Sequence, residues 1–173
     1  MDPYQPVADK LHALNIDFQL VEHEPALTTE QTDQFIEGIP GVRTKTMFLT
    51  DKKKRRFYLV IMDDSERLDM DRFQEITGES KIKLGSEDSL QEKMGLPFGV
   101  VSPFGLLNNE GSDIKIYFDQ AIMDKDRMSF HPNMNEKTIF IATSDLLTFL
   151  DHLGYTPHIV ELWRGEDQDG EFL

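Results

Sequence analysis

Val7, Leu11 and Leu14 recur at helical spacing between residues 3 and 15, so the apolar pattern of the chain opens on an amphipathic helix. Phe18, Leu20 and Val21 within 17–23 predict a short strand. Thr28-Thr29-Glu30-Gln31 has the form of a capping box, which predicts a second helix to about Glu37. Two runs of β-branched and other apolar residues, 45–50 and 57–62, flank a charged turn around Lys52 to Lys54 and predict a hairpin. Further on, Asp69 can cap a helix that runs to Thr77 and stops at Gly78, 81–84 reads as a strand, and Ser86 opens a helix ending near Gly95. Strands are expected over 99–102, 114–118 and 138–142, then a helix capped by Ser144 and running to about Leu153, then an edge strand over 158–162.

Six or more strands mixed with short helices, without a regular βαβ rhythm, point to the α+β class: a single domain with a mixed central β-sheet flanked by short helices. The expected domain covers 1–162, and 163–173, rich in acids and glycine, is expected to be a flexible acidic tail. With 173 residues, 39% of them hydrophobic, and 12 Phe, the chain has enough apolar material for one core. The absence of Cys excludes disulfides, thiolate nucleophiles and Cys-ligated zinc. No apolar run approaches the roughly 18 residues of a membrane span. The start, Met1-Asp2-Pro3-Tyr4, lacks the basic and apolar regions of a secretory signal, so the expected location is cytoplasmic.

The net charge of -14 argues against an anionic partner until its distribution is considered. Residues 43–56 hold seven basic side chains and one acid, a local +6, which leaves -20 on the rest. Charges within roughly 8 to 10 Å dominate over distant ones in salt, so such a patch can hold phosphate. A solvated lysine-rich hairpin that protects a sheet edge is the alternative.

No Walker loop, GxSxG elbow, HExxH pair or EF-hand loop is present. The acids Asp63, Asp64, Glu66, Asp69 and Asp71 fit no metal loop and read as a solvated turn plus a helix cap. The five His are too scattered to predict zinc, and neither metal nor cofactor is expected. Three places stand out. Lys45 would share a strand face with Met47 and Leu49, an ammonium at the mouth of an apolar surface. Gly99 to Leu107 is a Gly/Pro-stiffened apolar loop able to approach a small ligand closely. Phe130-His131-Pro132, with Asn133 and Asn135, is a polar turn between apolar elements. Each has an ordinary structural explanation: a snorkelling lysine, a core crossover, a His capping backbone groups.

In order along the chain come Lys45-Thr46-Met47-Phe48-Leu49, the basic hairpin, Gly99-Val100-Val101-Ser102-Pro103-Phe104-Gly105-Leu106-Leu107-Asn108, His131-Pro132-Asn133-Met134-Asn135-Glu136-Lys137-Thr138, and the cap Ser144-Asp145-Leu146. This series resembles the YbaK/ProX family, trans-editing domains related to the insertion domain of bacterial prolyl-tRNA synthetase. The resemblance spans about residues 4 to 162. It implies an aminoacyl-tRNA deacylase acting on tRNA(Pro) charged with a smaller amino acid, and the Ser-Pro-Phe-Gly-Leu-Leu-Asn loop implies alanine. By motif, Lys45 and His131 match the active-site lysine and pocket histidine, and Gly99, Val100, Val101, Ser102 and Pro103, extended by Phe104 and Gly105, match the substrate-lining loop. The hairpin residues Lys52, Lys53, Lys54, Arg55 and Arg56 are the expected tRNA contacts. The implied partners are mischarged tRNA(Pro) at its 3′ CCA end and prolyl-tRNA synthetase, with neither membrane nor DNA. Asn109-Glu110 departs from the family pattern and bears on the pocket rim. Deacylation of Cys-tRNA(Pro), or binding of tRNA or synthetase without hydrolysis, stays open at this point.

Overall fold

The computed structural model describes residues 2–25, 28–109, 111 and 113–162; the acidic tail and Glu110 lie outside them. The sheet is organised around β3 (Phe57–Asp63), whose first six residues are all buried. A strand with two covered faces needs no polar alternation. Tyr58, Val60 and Met62 enter one core cluster, and Phe57, Leu59 and Ile61 enter the other.

β2 (Val42–Asp51) pairs antiparallel with β3, and β5 (Ile114–Asp119) pairs parallel on β3's other side, followed by β8 (His158–Val160) at the edge. Beyond β2 lie β6 (Arg127–Phe130), β7 (Lys137–Ala142) and β1 (Phe18–Glu22), and β4 (Ile82–Leu84) joins β2 separately, giving one mixed sheet of eight strands. This agrees with the expected α+β fold class. The larger cluster is covered by α1 (Tyr4–Ala13), α4 (Glu87–Met94), α5 (Thr143–His152) and a 3₁₀ turn over Pro103–Asn108, through Leu11, Leu90, Phe104 and Phe149. The smaller is covered by α3 (Met70–Thr77) through Phe73. A short α2 (Thr29–Phe35) is capped by Thr28, which accepts the Gln31 N–H.

Three expectations are corrected. Residues 99–102 form no strand: the segment starts at Gly99 with φ +95° and runs unpaired into the 3₁₀ turn. Ser144 does not cap α5, which starts one residue earlier, after Ala142, with no side-chain cap; the Thr143 hydroxyl donates to the Lys125 carbonyl instead. Residues 127–130, not expected as a strand, form β6. Four residues are too few to display a period.

The hairpin is closed by Asp51, only 2% exposed. Its carboxylate accepts the Arg55 and Arg56 N–H groups at 2.6 and 3.0 Å and pairs with both guanidinium groups. Desolvation pushes this carboxyl up, but those N–H groups and the arginines outweigh it and hold its pKa at about 2. Asp51→Ala is expected to lower unfolding stability by about 1–3 kcal/mol in a denaturant titration at neutral pH, since it strands two N–H groups. A depressed pKa stabilises above the ordinary carboxyl value, and that contribution fades as pH falls from about 3.8 toward about 2. The difference between wild type and variant should therefore shrink across that window; a constant difference would exclude the ionised carboxylate as its source.

Candidate active site

β2 has two different neighbours along one edge. Arg43 accepts the Asp64 N–H at 2.8 Å and Asp51 donates to Arg56 at 3.2 Å, so the odd-numbered residues of β2 bond to β3. The N–H and C=O of Thr44, Thr46 and Phe48 consequently face the opposite edge. There β6 pairs only with Val42 and Arg43, and β4 only with Leu49 to Asp51. Gly85 donates to Phe48 at 2.8 Å, which closes the β4 side. Between these neighbours the edge opens at Thr46, and a cavity of about 450 Å³ occupies the opening.

Its walls come from distant parts of the chain. Thr44, Lys45 and Thr46 supply the β2 side, Phe98 to Val101 the opposite side, and Ser129, Phe130 and His131 the end of β6. Thr28 and Asp33 enter from the α2 side, and Asp64 from the segment after β3. Thr44 fixes the fork where β6 leaves, its hydroxyl donating to the Ser129 carbonyl at 2.5 Å. Gly99 has no atom within 4 Å of where a Cβ would stand, and its positive φ is one that side-chain-bearing residues rarely adopt.

Lys45, Gly99, Val100, Val101 and His131 thus meet in one cavity. Ser102, Pro103, Phe104 and Gly105 are buried behind the wall instead of lining it. The Ser102 hydroxyl donates to Asn133 Oδ1 at 3.1 Å and accepts the Phe104 N–H at 3.1 Å, while Asn133 Nδ2 donates to the Phe104 carbonyl at 3.4 Å. This buried polar tie joins the 99–105 segment to the turn that carries His131. Gly105 is required by packing: a Cβ there would come within 2.6 Å of Leu96 and 2.8 Å of Met94.

Lys45 shares its strand face with Met47 and Leu49, as the alternation implies. Its ammonium donates to the Glu66 carbonyl, outside the cavity lining. Partial burial lowers its pKa, while Asp64 acts in the opposite direction. His131 Nδ1 donates to the Lys137 carbonyl at 3.2 Å, because a carbonyl can only accept. That bond leaves Nε2 of the neutral ring as an acceptor. Burial lowers the imidazole pKa. His23, stacked on Phe35 at 5.0 Å and in contact with Thr138 through Nε2 at 2.8 Å, connects α2 to the β7 side.

The hairpin lies away from this cavity. From Lys45 to Asp51, β2 spans roughly 20 Å at about 3.3 Å per residue. Lys52, Lys53 and Lys54 are exposed, whereas Arg55 is held by Asp51 and Arg56 by Glu79 at 2.5 and 2.8 Å.

Residue-level reasoning did not find Thr44, Thr46, Phe98, Asp33 or Asp64 as cavity residues. Asp64 corrects the reading of its segment as a solvated turn: it lines the cavity and is hydrogen-bonded to Asp33. The neighbouring Asp69 does cap α3, accepting the Arg72 N–H at 3.1 Å. Among the described residues no group of three or more His, Asp or Glu could hold a metal ion, and no helix is long and apolar enough to cross a membrane.

Comparison with known proteins gives a consistent result. The profile of the aminoacyl-tRNA editing domain matches residues 23–149. The chain is 36% identical to the prolyl-tRNA editing protein ProX of Acetoanaerobium sticklandii, over 94% of this chain and 99% of that one. It is 29% identical to the prolyl-tRNA synthetase associated domain-containing protein 1 of Bos taurus, over 87% and 90%. The crystal structure of a candidate trans-editing enzyme for prolyl-tRNA synthetase superposes with a TM-score of 0.75 at 16% identity, covering 95% and 99%; at that identity the likeness concerns the fold alone.

The geometry at His131 sets a spectroscopic expectation. Its ring should titrate below 6.5 and carry its proton on Nδ1 at neutral pH, readable from ¹⁵N–¹H long-range couplings. A ring protonated on Nε2 alone, or one titrating above 6.5, would contradict the orientation described.

Proposed function

The chain belongs to the aminoacyl-tRNA editing domain family and is an editing enzyme of aminoacyl-tRNA; from that premise we propose that it hydrolyses Ala-tRNA(Pro) and spares Pro-tRNA(Pro). The observation that carries the reading is the gap along β2, where Lys45, Gly99 to Val101 and His131 line one cavity beside an open strand edge. An aminoacyl ester is already activated. Catalysis then requires an oriented water and donors for the developing oxyanion, and no nucleophilic triad. The Thr46 N–H faces the gap as such a donor, and His131 Nε2 is the acceptor that can orient a water. The family resemblance adds a vicinal ribose hydroxyl of the substrate as an aid to that water.

Lys45 acts as a positioning cation for the phosphate or ester region of the terminal nucleotide. Its partial burial lowers its pKa, but the ordinary value near 10.5 makes it a poor base at neutral pH. Phe98 is 58% exposed at the cavity wall, a face on which the terminal base can stack. A cavity of about 450 Å³ exceeds an alanyl group, so it receives the ester together with part of its nucleoside. Selectivity then rests on the wall next to the side chain, where the Gly99 to Val101 segment, backed by the Ser102–Asn133 tie, resists displacement by proline's ring. The exposed Lys52, Lys53 and Lys54 contact phosphates farther along the tRNA, at the far end of β2. Prolyl-tRNA synthetase is the natural second partner, because the mischarged substrate is its product.

Side-by-side deacylation of alanyl-, cysteinyl- and prolyl-tRNA(Pro) tests the reading. Alanine release with proline retained is expected, by a margin beyond the about 10- to 200-fold that one methylene supplies in a pocket, since the larger ring is excluded sterically. Release of cysteine alone would move the substrate to the other branch of the family, and binding without release would leave a non-catalytic module. For the hairpin, Lys52→Ala/Lys53→Ala/Lys54→Ala is expected to raise KM and to reduce its salt dependence while kcat changes little, because phosphate contacts position nucleic acid without entering the chemistry. An unchanged salt slope would remove the hairpin from the tRNA path.

A further inference from the structure

Asp33 and Asp64 bring two carboxyl groups together inside the cavity wall, from two elements remote in sequence. Asp33 comes from α2, Asp64 from the segment after β3, and the two are hydrogen-bonded to each other. A second like charge so near disfavours ionisation of Asp64. Desolvation first, and then Asp33, push Asp64 up to about 8.

The nearby cations reach this pair only through space: Arg43 acts to lower the Asp64 pKa, and Asp64 acts to raise that of Lys45. The Arg43 guanidinium donates to the Gly41 and Ile36 carbonyls at 2.7 Å each and lies over the Phe140 ring at 5.2 Å. The Lys45 ammonium donates to the Glu66 carbonyl. Among the described residues neither carboxyl forms an ion pair with a Lys or Arg, while Asp63 adds further negative charge. Partly buried carboxyls without a paired cation are costly in a wall that serves only packing. They suit a ligand that brings its own cation.

The ester assigned to this cavity carries one. An α-amino group with a pKa of about 7.7–8.0 is largely protonated at neutral pH and offers three N–H donors. We propose that Asp33 and Asp64 together receive the free α-ammonium of the aminoacyl group, so that the cavity accepts aminoacyl esters and rejects their N-acylated counterparts. The inference rests on the reading of the cavity as an ester-hydrolysing site. When the ammonium enters, its single positive charge offsets one carboxylate, and its three N–H groups can donate to oxygens of both carboxyl groups. An N-acyl group is neutral, has one N–H, and is larger. The same contact holds the Cα–carbonyl segment in a fixed direction toward the open Thr46 edge, which couples recognition to positioning.

The test compares Ala-tRNA(Pro) with N-acetyl-Ala-tRNA(Pro) in the wild type and in Asp33→Asn/Asp64→Asn, which keeps shape and removes charge. N-acetylation should lower wild-type kcat/KM by about ten- to a hundredfold, the scale of a charge-assisted hydrogen bond. The double variant should lose a comparable factor on the free-amine ester only, so that its discrimination collapses to within about threefold. Each single variant retains one carboxyl and should show an intermediate preference, which carries the test if the double variant does not fold. A second measurement is independent of turnover: calorimetric binding of 3′-(L-alanylamino)-3′-deoxyadenosine and of its N-acetyl form. Wild type should favour the free amine by about tenfold or more and the double variant should not. If the wild type hydrolyses neither ester, the ester-hydrolysing reading falls and the binding pair alone decides the amine receptor. Equal affinity for the two analogues in wild type, or discrimination undiminished in the variants, overturns the proposal.

Discussion

The site depends on one strand having to satisfy two different partners along a single edge. β2 is ten residues long, and β6 and β4 together leave its middle unpaired on that side. Main-chain polar groups in a sheet are normally satisfied by a neighbour, so an opening in mid-strand must be supported from outside. Here Thr44 bonds β6 at one end of the opening and Gly85 bonds Phe48 at the other. The edge between them stays available to a ligand that can use a main-chain N–H and C=O. Filling the opening with a ninth strand would improve the sheet and abolish the cavity.

The support is unusually polar for a core. Ser102 and Asn133 are 0% and 7% exposed, yet both are bonded, to each other and to the Phe104 main chain. Asn133 adopts φ +65°, a backbone state that Asn accepts more readily than most residues. The Phe104 ring is edge-on to Phe130 and Phe149, so the polar tie sits against the apolar core instead of solvent. A satisfied buried network of this kind specifies one arrangement, whereas apolar contacts alone would tolerate sliding. The cavity walls inherit that rigidity.

Much of the fold was legible because local and tertiary preferences agree. Asp69 and Ser86 cap the helices expected from them, Gly78 and Gly95 end those helices at φ +78° and +66°, and the hairpin closes around its charged turn. Lys45 and His131 were legible as part of an ordered set of motifs that resembles a family, not from their own surroundings. What could not be read depends on neighbours supplied by other parts of the chain. Residues 99–102 have the composition of a strand, but the edge beside them is left open and they bond to Asn133 instead. β6 is defined by its contacts with Val42, Arg43 and β7. Asp64 has the same chemistry as the acids around it, and what sets it apart is its place in the cavity wall beside Asp33 of α2, distant in sequence.

The charge pattern changes meaning in the same way. In sequence the +6 segment looks like one basic patch, but in space its members do different things. Lys45 lines the cavity, and both it and Arg43 are tied to carbonyls; Arg55 and Arg56 are matched by Asp51 and Glu79 at the base of the hairpin. That leaves Lys52, Lys53 and Lys54 exposed at the tip, about 20 Å from the cavity along β2. With a screening length of roughly 8 to 10 Å, these lysines and the cavity act as separate electrostatic sites. The rest of the chain is acidic in sum, so under the proposed reading phosphate contact at this tip would restrict the directions from which a single-stranded end reaches the cavity. Under the proposed reading the carboxyls of the cavity wall would meet the cationic end of the ligand and the lysines of the tip its phosphates, two fields of opposite sign each matched to a different part of one strand.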